Sequence, residues 1–460
     1  MLFNKIYCKA FALATFLSFC THQAYSQVSN FGYSLKPIKM SFLGTGIVPI
    51  KDDNNTKFYD APHWTENQAA PFIPVCYVSG STPKVNCLFQ ITGTCTNAIY
   101  VKGQASNGML FPQQQLTINT AGALYPVIDA SAAFAFGQAD IFENFTVDWY
   151  MTNNPSGGSW VNVGTSTNVM YVTKATPLSI LSTREDINQL GGTRLGDTNC
   201  PTFHTTLHIG CQYGKGLTTD LSLIDGVYDY FKGKNVQSIE KGFCMQYWGN
   251  TYGNPQDAAP LSYYSLGLIK VGDGRCTAWS QFFVEIMRTQ GIGGLKGIVI
   301  RWKVNETLDA SSVSQLEDDL IANNLVVSQG TTLSNLSAKF YVKNWANNLD
   351  HSFLELPNSY TAGNTMAQGD EDGLKGQCMN NPWSTFPNHV IVKYGNTYYD
   401  PSYGSPTVQN KVDWQNNSIS YYGTVIRVRE RDMPSGPFRR HYWITAITQN
   451  IVEEEINYPF

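Results

Sequence analysis

The segment VGDGRCTAWSQFFVEIMRTQGIGG, residues 271–294, holds the side chain best suited to covalent chemistry. Gly272 and Gly274 form a turn and Cys276 opens a helix. Trp279, Phe282, Phe283, Ile286 and Met287 then recur at helical spacing until Gly291 ends it. A cysteine at a helix N-terminus faces unpaired backbone N–H groups and the positive end of the helix dipole. Both favour the thiolate, the form that attacks carbonyl carbon, and the backbone N–H at that position is placed to stabilise an oxyanion. The competing reading is a buried structural cysteine or half of a disulfide, so the assignment needs a base.

A base and its orienter stand in NHVIVKYGNTYYDPSYG, residues 388–404. HVIVKY and TYYDPS are two β-rich runs about Gly395-Asn396, a two-residue hairpin signal. If Tyr394 pairs with Thr397, Ile391 lies opposite Asp400 and His389 opposite Ser402. His389 and Asp400 are then diagonal neighbours on one face, roughly 7–8 Å apart, within reach of a carboxylate–imidazole hydrogen bond on a twisted sheet. His389 would take the thiol proton and return it to the leaving group, while Asp400 would fix its tautomer and steady the imidazolium. His351, beside Asp350 and four residues from Glu355, is the competing base. His204 and His208, spaced for one helix face with no carboxylate close in sequence, read as packing. His63 belongs to the first half, and His441 sits in a terminal strand beside Arg439 and Arg440. Trp248 and Gln246 are candidate side-chain donors to the oxyanion.

The elements that must carry these residues occupy the second half of the chain. From about residue 179 the pattern is mixed α+β, with helical spacing at Leu221–Phe231, Thr277–Gln290 and Ser314–Asn323 and strands from His389 onward. Residues 301–388, rich in Asn and Ser, read as a long insertion or a set of loops. Residues 27–178 carry β signals almost throughout, in NCLFQIT (86–92), FTVDWYM (145–151), WVNV (160–163) and VMYV (169–172), and predict an all-β, sandwich-like accessory domain ending at YVTKATP (171–177). Residues 1–26 follow the secretory leader pattern: Lys5 and Lys9, the apolar stretch Ala10–Phe19, then small residues at Ala24 and Ser26. The expectation is a secreted protein, extracellular or periplasmic, with cell-surface association open. An oxidising compartment favours disulfides among Cys76, Cys87, Cys95, Cys200, Cys211, Cys244, Cys276 and Cys378. Cys87 with Cys95, and a bridge within Cys200, Cys211 and Cys244, are options; sequence does not fix the connectivity.

Composition narrows the partners. The 460 residues include 31 basic and 35 acidic side chains, a net charge of -4 with no basic run, which argues against nucleic acid. No run of 18 apolar residues predicts a transmembrane segment. CxxC and HExxH are absent, the histidines are scattered and GDEDG (369–373) lacks the rest of a calcium loop, so no metal and no cofactor is expected. Charged residues are 14% of the chain and aromatics 13%, which also suits a binding surface.

Taken together, GRCTAWSQFFVEIMRTQGI and NHVIVKYGNTYYDPSYG resemble the transglutaminase-like superfamily, whose core is related to papain-like cysteine peptidases. Gly274, Cys276, Trp279, Ser280, Arg288, Gly291 and Ile292 match the run that opens and closes that family's core helix. His389 and Asp400-Pro401 match its His strand and the Asp-Pro on the next. The resemblance implies a transglutaminase-like catalytic domain over the second half only. It also implies a Cys276, His389 and Asp400 triad that forms a thioester from an amide or peptide bond of a protein, peptide or glycopeptide. Hydrolysis is the first expectation, since water is abundant outside the cell and no sequence feature marks an amine pocket. A protein-crosslinking acyltransferase and a catalytically silent binding or adhesive protein are the alternatives.

Overall fold

In a computed structural model the described residues are 32–119, 122–156, 158–178, 202–247, 265–302, 325–327, 338–342, 375–380, 385–386, 388–430, 440–444 and 451–455. The leader at 1–26, the helix expected at Ser314–Asn323, His351, Trp248 and Cys200 lie outside them. The chain is mixed α+β, strand-rich with few helices. Its contacts divide it into two units, the first formed up to Ile47 and by 59–136 and 142–170, the second by 48–58, 137–141 and 171 onward.

Period-two alternation builds the first unit. In chain order the strands are β1 (Tyr33–Leu43), β2 (Ile50–Lys51), β3 (Trp64–Thr65), β4 (Pro74–Val78), β5 (Lys84–Gly93), β6 (Tyr100–Ala105), β7 (Leu110–Gln115), β8 (Thr117–Asn119), β9 (Gly122–Asp129), β10 (Asp140–Thr152) and β11 (Val161–Thr173). Ten of these form two five-stranded sheets, ordered β3-β1-β5-β9-β8 and β4-β11-β10-β6-β7; β2 belongs to the second unit. Val85, Cys87 and Phe89 on β5 and Phe145, Val147 and Trp149 on β10 are all fully buried. Trp149 meets Phe89 and Tyr125 edge-on at 5.4 and 5.3 Å, and its Nε1–H donates to Ser166 Oγ at 3.3 Å. WVNV and VMYV fall largely on one strand, β11, because the intervening Gly-Thr-Ser-Thr-Asn continues the pairing. A Cys87–Cys95 bridge does not form: Cys87 points into the sandwich, while Cys95 lies past the end of β5 with its thiol donating to Asn97 O. His63, also buried, accepts the Phe42 N–H at Nδ1 at 3.0 Å.

In the second unit, β12 (Thr202–Phe203) pairs in parallel with β2 and leads into α1 (His204–Tyr213). Asp53, just past β2, accepts the Thr205 N–H at 3.0 Å, Thr205 Oγ1 at 2.6 Å and Ser238 Oγ at 3.2 Å. The expectation that no carboxylate serves His204 is overturned, because the fold brings in one from 36 residues away. Glu240 Oε1 lies 3.1 Å from His204 Nδ1, and Tyr171 Oη bridges His204 Nε2 and His208 Nδ1 at 3.0 and 3.2 Å. α2 (Asp220–Lys232) starts at a Thr219–Ser222 capping box. It packs on α4 (Cys276–Thr289) through Tyr228 and Phe231 against Phe283, with ring centroids 5.5 and 5.2 Å apart. β13 (Gln246–Tyr247), α3 (Ser265–Val271) and β14 (Asp273–Gly274) precede α4.

β15 (Lys296–Trp302) follows α4. Further on come β16 (Leu325–Val327), β17 (Ala338–Val342), β18 (Lys375–Gly376), β19 (Met379–Asn380), β20 (Thr385–Phe386), β21 (Asn388–Tyr394), β22 (Thr397–Tyr399), α5 (Lys411–Ser418), β23 (Ile419–Glu430), β24 (Arg440–Ile444) and β25 (Ile451–Glu455). One antiparallel sheet runs β22-β21-β15-β25; another runs β16-β23-β17-β20, with β24 also on β23. A disulfide joins Cys244 to Cys378 across 134 residues, with Cα atoms 5.8 Å apart. Cys211 takes no part in a bridge; it is buried, and its thiol donates to Val172 O at 3.4 Å. No helix among the described residues is long and apolar enough to cross a membrane.

Candidate active site

Cys276 is delivered by a short parallel pairing, Gln246 with Asp273 and Tyr247 with Gly274, anchored where the Gln246 N–H donates to Gly272 O at 2.7 Å. Gly272 turns the chain with φ +85°, and a Cβ there would sit 2.5 Å from the Phe243 ring. Arg275 then enters α4 in an extended conformation with no side-chain cap. The far end of α4 closes on Gly291 at φ +77°: the Gly291 N–H reaches Arg288 O and the Ile292 N–H reaches Met287 O, a Schellman ending. Trp279, Phe282, Phe283, Ile286 and Met287 are all fully buried, which fixes the helix and with it the position of Sγ.

The base comes from an inner strand. β21 lies between β15 and β22, with Ile300 opposite His389 and Tyr394 opposite Thr397, the register expected from Gly395-Asn396. Ser280 Oγ on α4 donates to Val390 O at 3.0 Å, tying the cysteine helix to the strand beside His389. Asp400 follows β22. Its Oδ2 accepts His389 Nε2–H at 2.8 Å, and its Oδ1 accepts the N–H groups of Ser402 and Tyr403 at 3.2 and 3.4 Å. The same turn is held by Tyr228 of α2, whose hydroxyl accepts the Asp400 N–H at 2.9 Å and lies 2.8 Å from Ser405 O. It closes on Gly404 at φ +56°, where a Cβ would meet Phe231 O at 2.3 Å.

The structure thus brings Cys276, His389 and Asp400 together. Burial alone would push the Cys276 thiol up. The His389 hydrogen bond and charge, with the backbone N–H of Val390, outweigh it and hold the thiol below its ordinary value. Burial would likewise hold the His389 imidazole down. The Asp400 carboxylate at 2.8 Å and the Cys276 sulfur instead raise it to about 10. With Nε2 engaged by Asp400, Nδ1 is the nitrogen left to serve the sulfur. Cys276 is 7% exposed and His389 0%, so the pair is shielded from water, and both shifts run toward thiolate and imidazolium, a nucleophile beside an acid able to protonate a leaving group.

Gln246 is partly buried beside the loop to Cys276, and its main-chain oxygen accepts Trp279 Nε1–H at 3.4 Å. Sequence reasoning missed its neighbour Tyr247, which is fully buried with its ring 4.9 Å from that of Tyr403. Tyr403 in turn lies 5.7 Å from the His389 imidazole. Burial raises the Tyr247 hydroxyl well above its ordinary value, with Tyr403, Cys276 and Asp400 adding to it. Tyr403 was detectable within the DPSYG run; Tyr247 carried only its place beside Trp248. Tyr228 and Gln377, which grip the Asp400 turn from other elements, had no local signal. Among the described residues no three His, Cys, Asp or Glu side chains converge to hold a metal ion. No family model matches the chain and no curated protein matches it, so any functional reading rests on the geometry of Cys276, His389 and Asp400.

Proposed function

We propose that the second unit is a transglutaminase-like cysteine enzyme that cleaves an amide or peptide bond through a thioester, acting as a hydrolase outside the cytoplasm. The observation that carries this reading is the buried His389–Asp400 pair at 2.8 Å beside a Cys276 thiol held below its ordinary value. Sγ of Cys276 attacks the substrate carbonyl carbon, and the carbonyl oxygen takes up the negative charge. The N-terminal N–H groups of α4 face that charge. Collapse of the tetrahedral species expels the amine, which takes its proton from His389, and leaves the acyl group on sulfur. His389, now neutral and oriented by Asp400, takes a proton from water as the hydroxyl oxygen attacks the thioester; the acid leaves and Cys276 departs as thiolate. The leader pattern at 1–26 and the low charge fit a protein, peptide or glycopeptide substrate met outside the cell.

The test is a panel of peptide and glycopeptide amides incubated with the full chain and with Cys276→Ala, reading amine release alongside incorporation of a labelled primary amine. Cys276-dependent release in excess of incorporation is the expected result. Incorporation in excess of release would replace the hydrolase with a crosslinking acyltransferase. Neither activity, together with a Cys276 inert to alkylation, would leave a binding or adhesive protein.

A further inference from the structure

Gln377 falls within residues 301–388, the stretch whose sequence reads as an insertion, yet it is fully buried against the candidate site. It stands in the turn between β18 and β19, where Lys375 pairs with Asn380 and Gly376 with Met379. Its Nε2 donates to Phe231 O at 2.7 Å and to Pro401 O at 2.8 Å, and its main-chain N–H donates to Ser402 O at 3.1 Å. On the other side its carbonyl accepts the Tyr247 N–H at 2.8 Å. Pro401 and Ser402 directly follow Asp400, and the Ser402 N–H is one of the two that hold Asp400 Oδ1. Gln377 therefore ties the Asp400 turn to the end of α2 and to β13, the strand alongside the Cys276 loop.

The next residue is Cys378, at φ +48°, a left-handed conformation that non-glycine residues adopt only when their surroundings enforce it. Its N–H donates to Lys234 O at 2.9 Å, and Lys234 is itself at φ +55°. Two unfavourable backbone conformations thus face each other across one hydrogen bond. The Cys244–Cys378 disulfide closes the same contact, from a Cys244 two residues before Gln246. Both half-cystines are partly exposed, so a small reductant can reach them.

We propose that Gln377 is a positioning residue for the Cys276, His389 and Asp400 triad, and that the Cys244–Cys378 bridge makes its grip redox-dependent. This rests on the catalytic reading of Cys276. In exchange with a dithiol, the Cys244–Cys378 bond breaks and the reductant closes its own disulfide. Two electrons and two protons pass to the pair, leaving two thiols. Without the bridge Cys378 relaxes out of the left-handed region and carries Gln377 away from Pro401 O and Ser402 O. The Asp400 turn loosens, His389 loses part of its oriented partner, and less of Cys276 is thiolate. The oxidised protein is the active form.

The experiment is the pH profile of Cys276 alkylation by iodoacetamide, resolved by peptide mass spectrometry in the folded full chain. It compares the wild type, the Cys244→Ser/Cys378→Ser double variant, Gln377→Met and His389→Ala. Gln377→Met keeps the volume and removes both side-chain donations; the double variant leaves Gln377 intact and removes only the bridge. The expected result is a midpoint raised in both, with labelling at pH 6 slowed about tenfold, the change that follows a rise of about one pH unit. Dithiol treatment of the wild type should give the same shift, and reoxidation should reverse it. A wild-type thiolate whose profile is unchanged by bridge removal and by Gln377→Met overturns this inference alone. A wild-type Cys276 inert at every pH overturns the catalytic reading and this inference with it.

Discussion

Each unit buries a cysteine and a histidine, and the two pairs respond in opposite ways. In the first unit burial raises the Cys87 thiol well above its ordinary value and lowers His63 to about 4, with Asp60 opposing only weakly. In the second unit Cys276 and His389 are also buried, yet the thiol is lowered and the imidazole is raised to about 10. Burial has the same sign in both places, so burial does not make a nucleophile. What differs is a carboxylate 2.8 Å from the imidazole, itself held by the N–H groups of Ser402 and Tyr403, which favours the charged imidazole and through it the thiolate.

His389→Ala should break that contrast most completely. Cys276 becomes a buried thiol like Cys87, its alkylation midpoint rises above 9.0, and turnover falls by roughly 10³-fold or more. Asp400→Asn should cost roughly 10²- to 10⁴-fold by removing the charge and orientation of His389 while keeping its shape. A Cys276 midpoint that stays low in His389→Ala would show that α4 alone activates the thiol.

Stability against pH sharpens the contrast further. His389, raised from 6.5 to about 10, contributes stability that is complete below 6.5 and lost as pH rises through 10. Cys276, lowered from 9.0, contributes stability that is present above 9.0 and lost as pH falls through its lowered value. Above 6.5, and from the lowered Cys276 value up to 9.0, the unfolded chain keeps the shared proton on sulfur and the folded chain keeps it on imidazole, so the two slopes oppose each other there. Cys276→Ala removes the thiol's half, and thermal stability should then fall with pH across that window while the wild type stays flatter. Parallel unfolding profiles for the two proteins would mean that no proton is shared. The smallest effect on the site is expected from Cys87→Ser. A hydroxyl placed in the dry sandwich core costs about 1–3 kcal/mol, read as a lower denaturant midpoint, and should leave Cys276 alkylation unchanged.

The three central residues were legible because each sits in a local pattern. A helix start with a period-3.6 apolar face placed Cys276, and a two-residue turn fixed the parity that sets His389 and Asp400 on one face. The residues that hold them were not. Tyr228 lies 172 residues from Asp400, and Gln377 makes its contacts through a side-chain amide and main-chain atoms, which leave no periodicity. The Cys244–Cys378 pairing was equally unreadable, since eight cysteines admit many connectivities and neither partner's neighbours favour one. His204 shows the same limit, because its carboxylate arrives only through the tertiary fold.

The pairing of β2 with β12 sets an order of events during synthesis. Asp53 leaves the ribosome 152 residues before Thr205, the residue whose N–H and hydroxyl it must accept. At roughly 5–20 residues per second that interval is about 8–30 s, long enough for strands between them to pair while Asp53 has nothing to hold. The earliest piece of the second unit is therefore made first and placed late, once α1 has emerged.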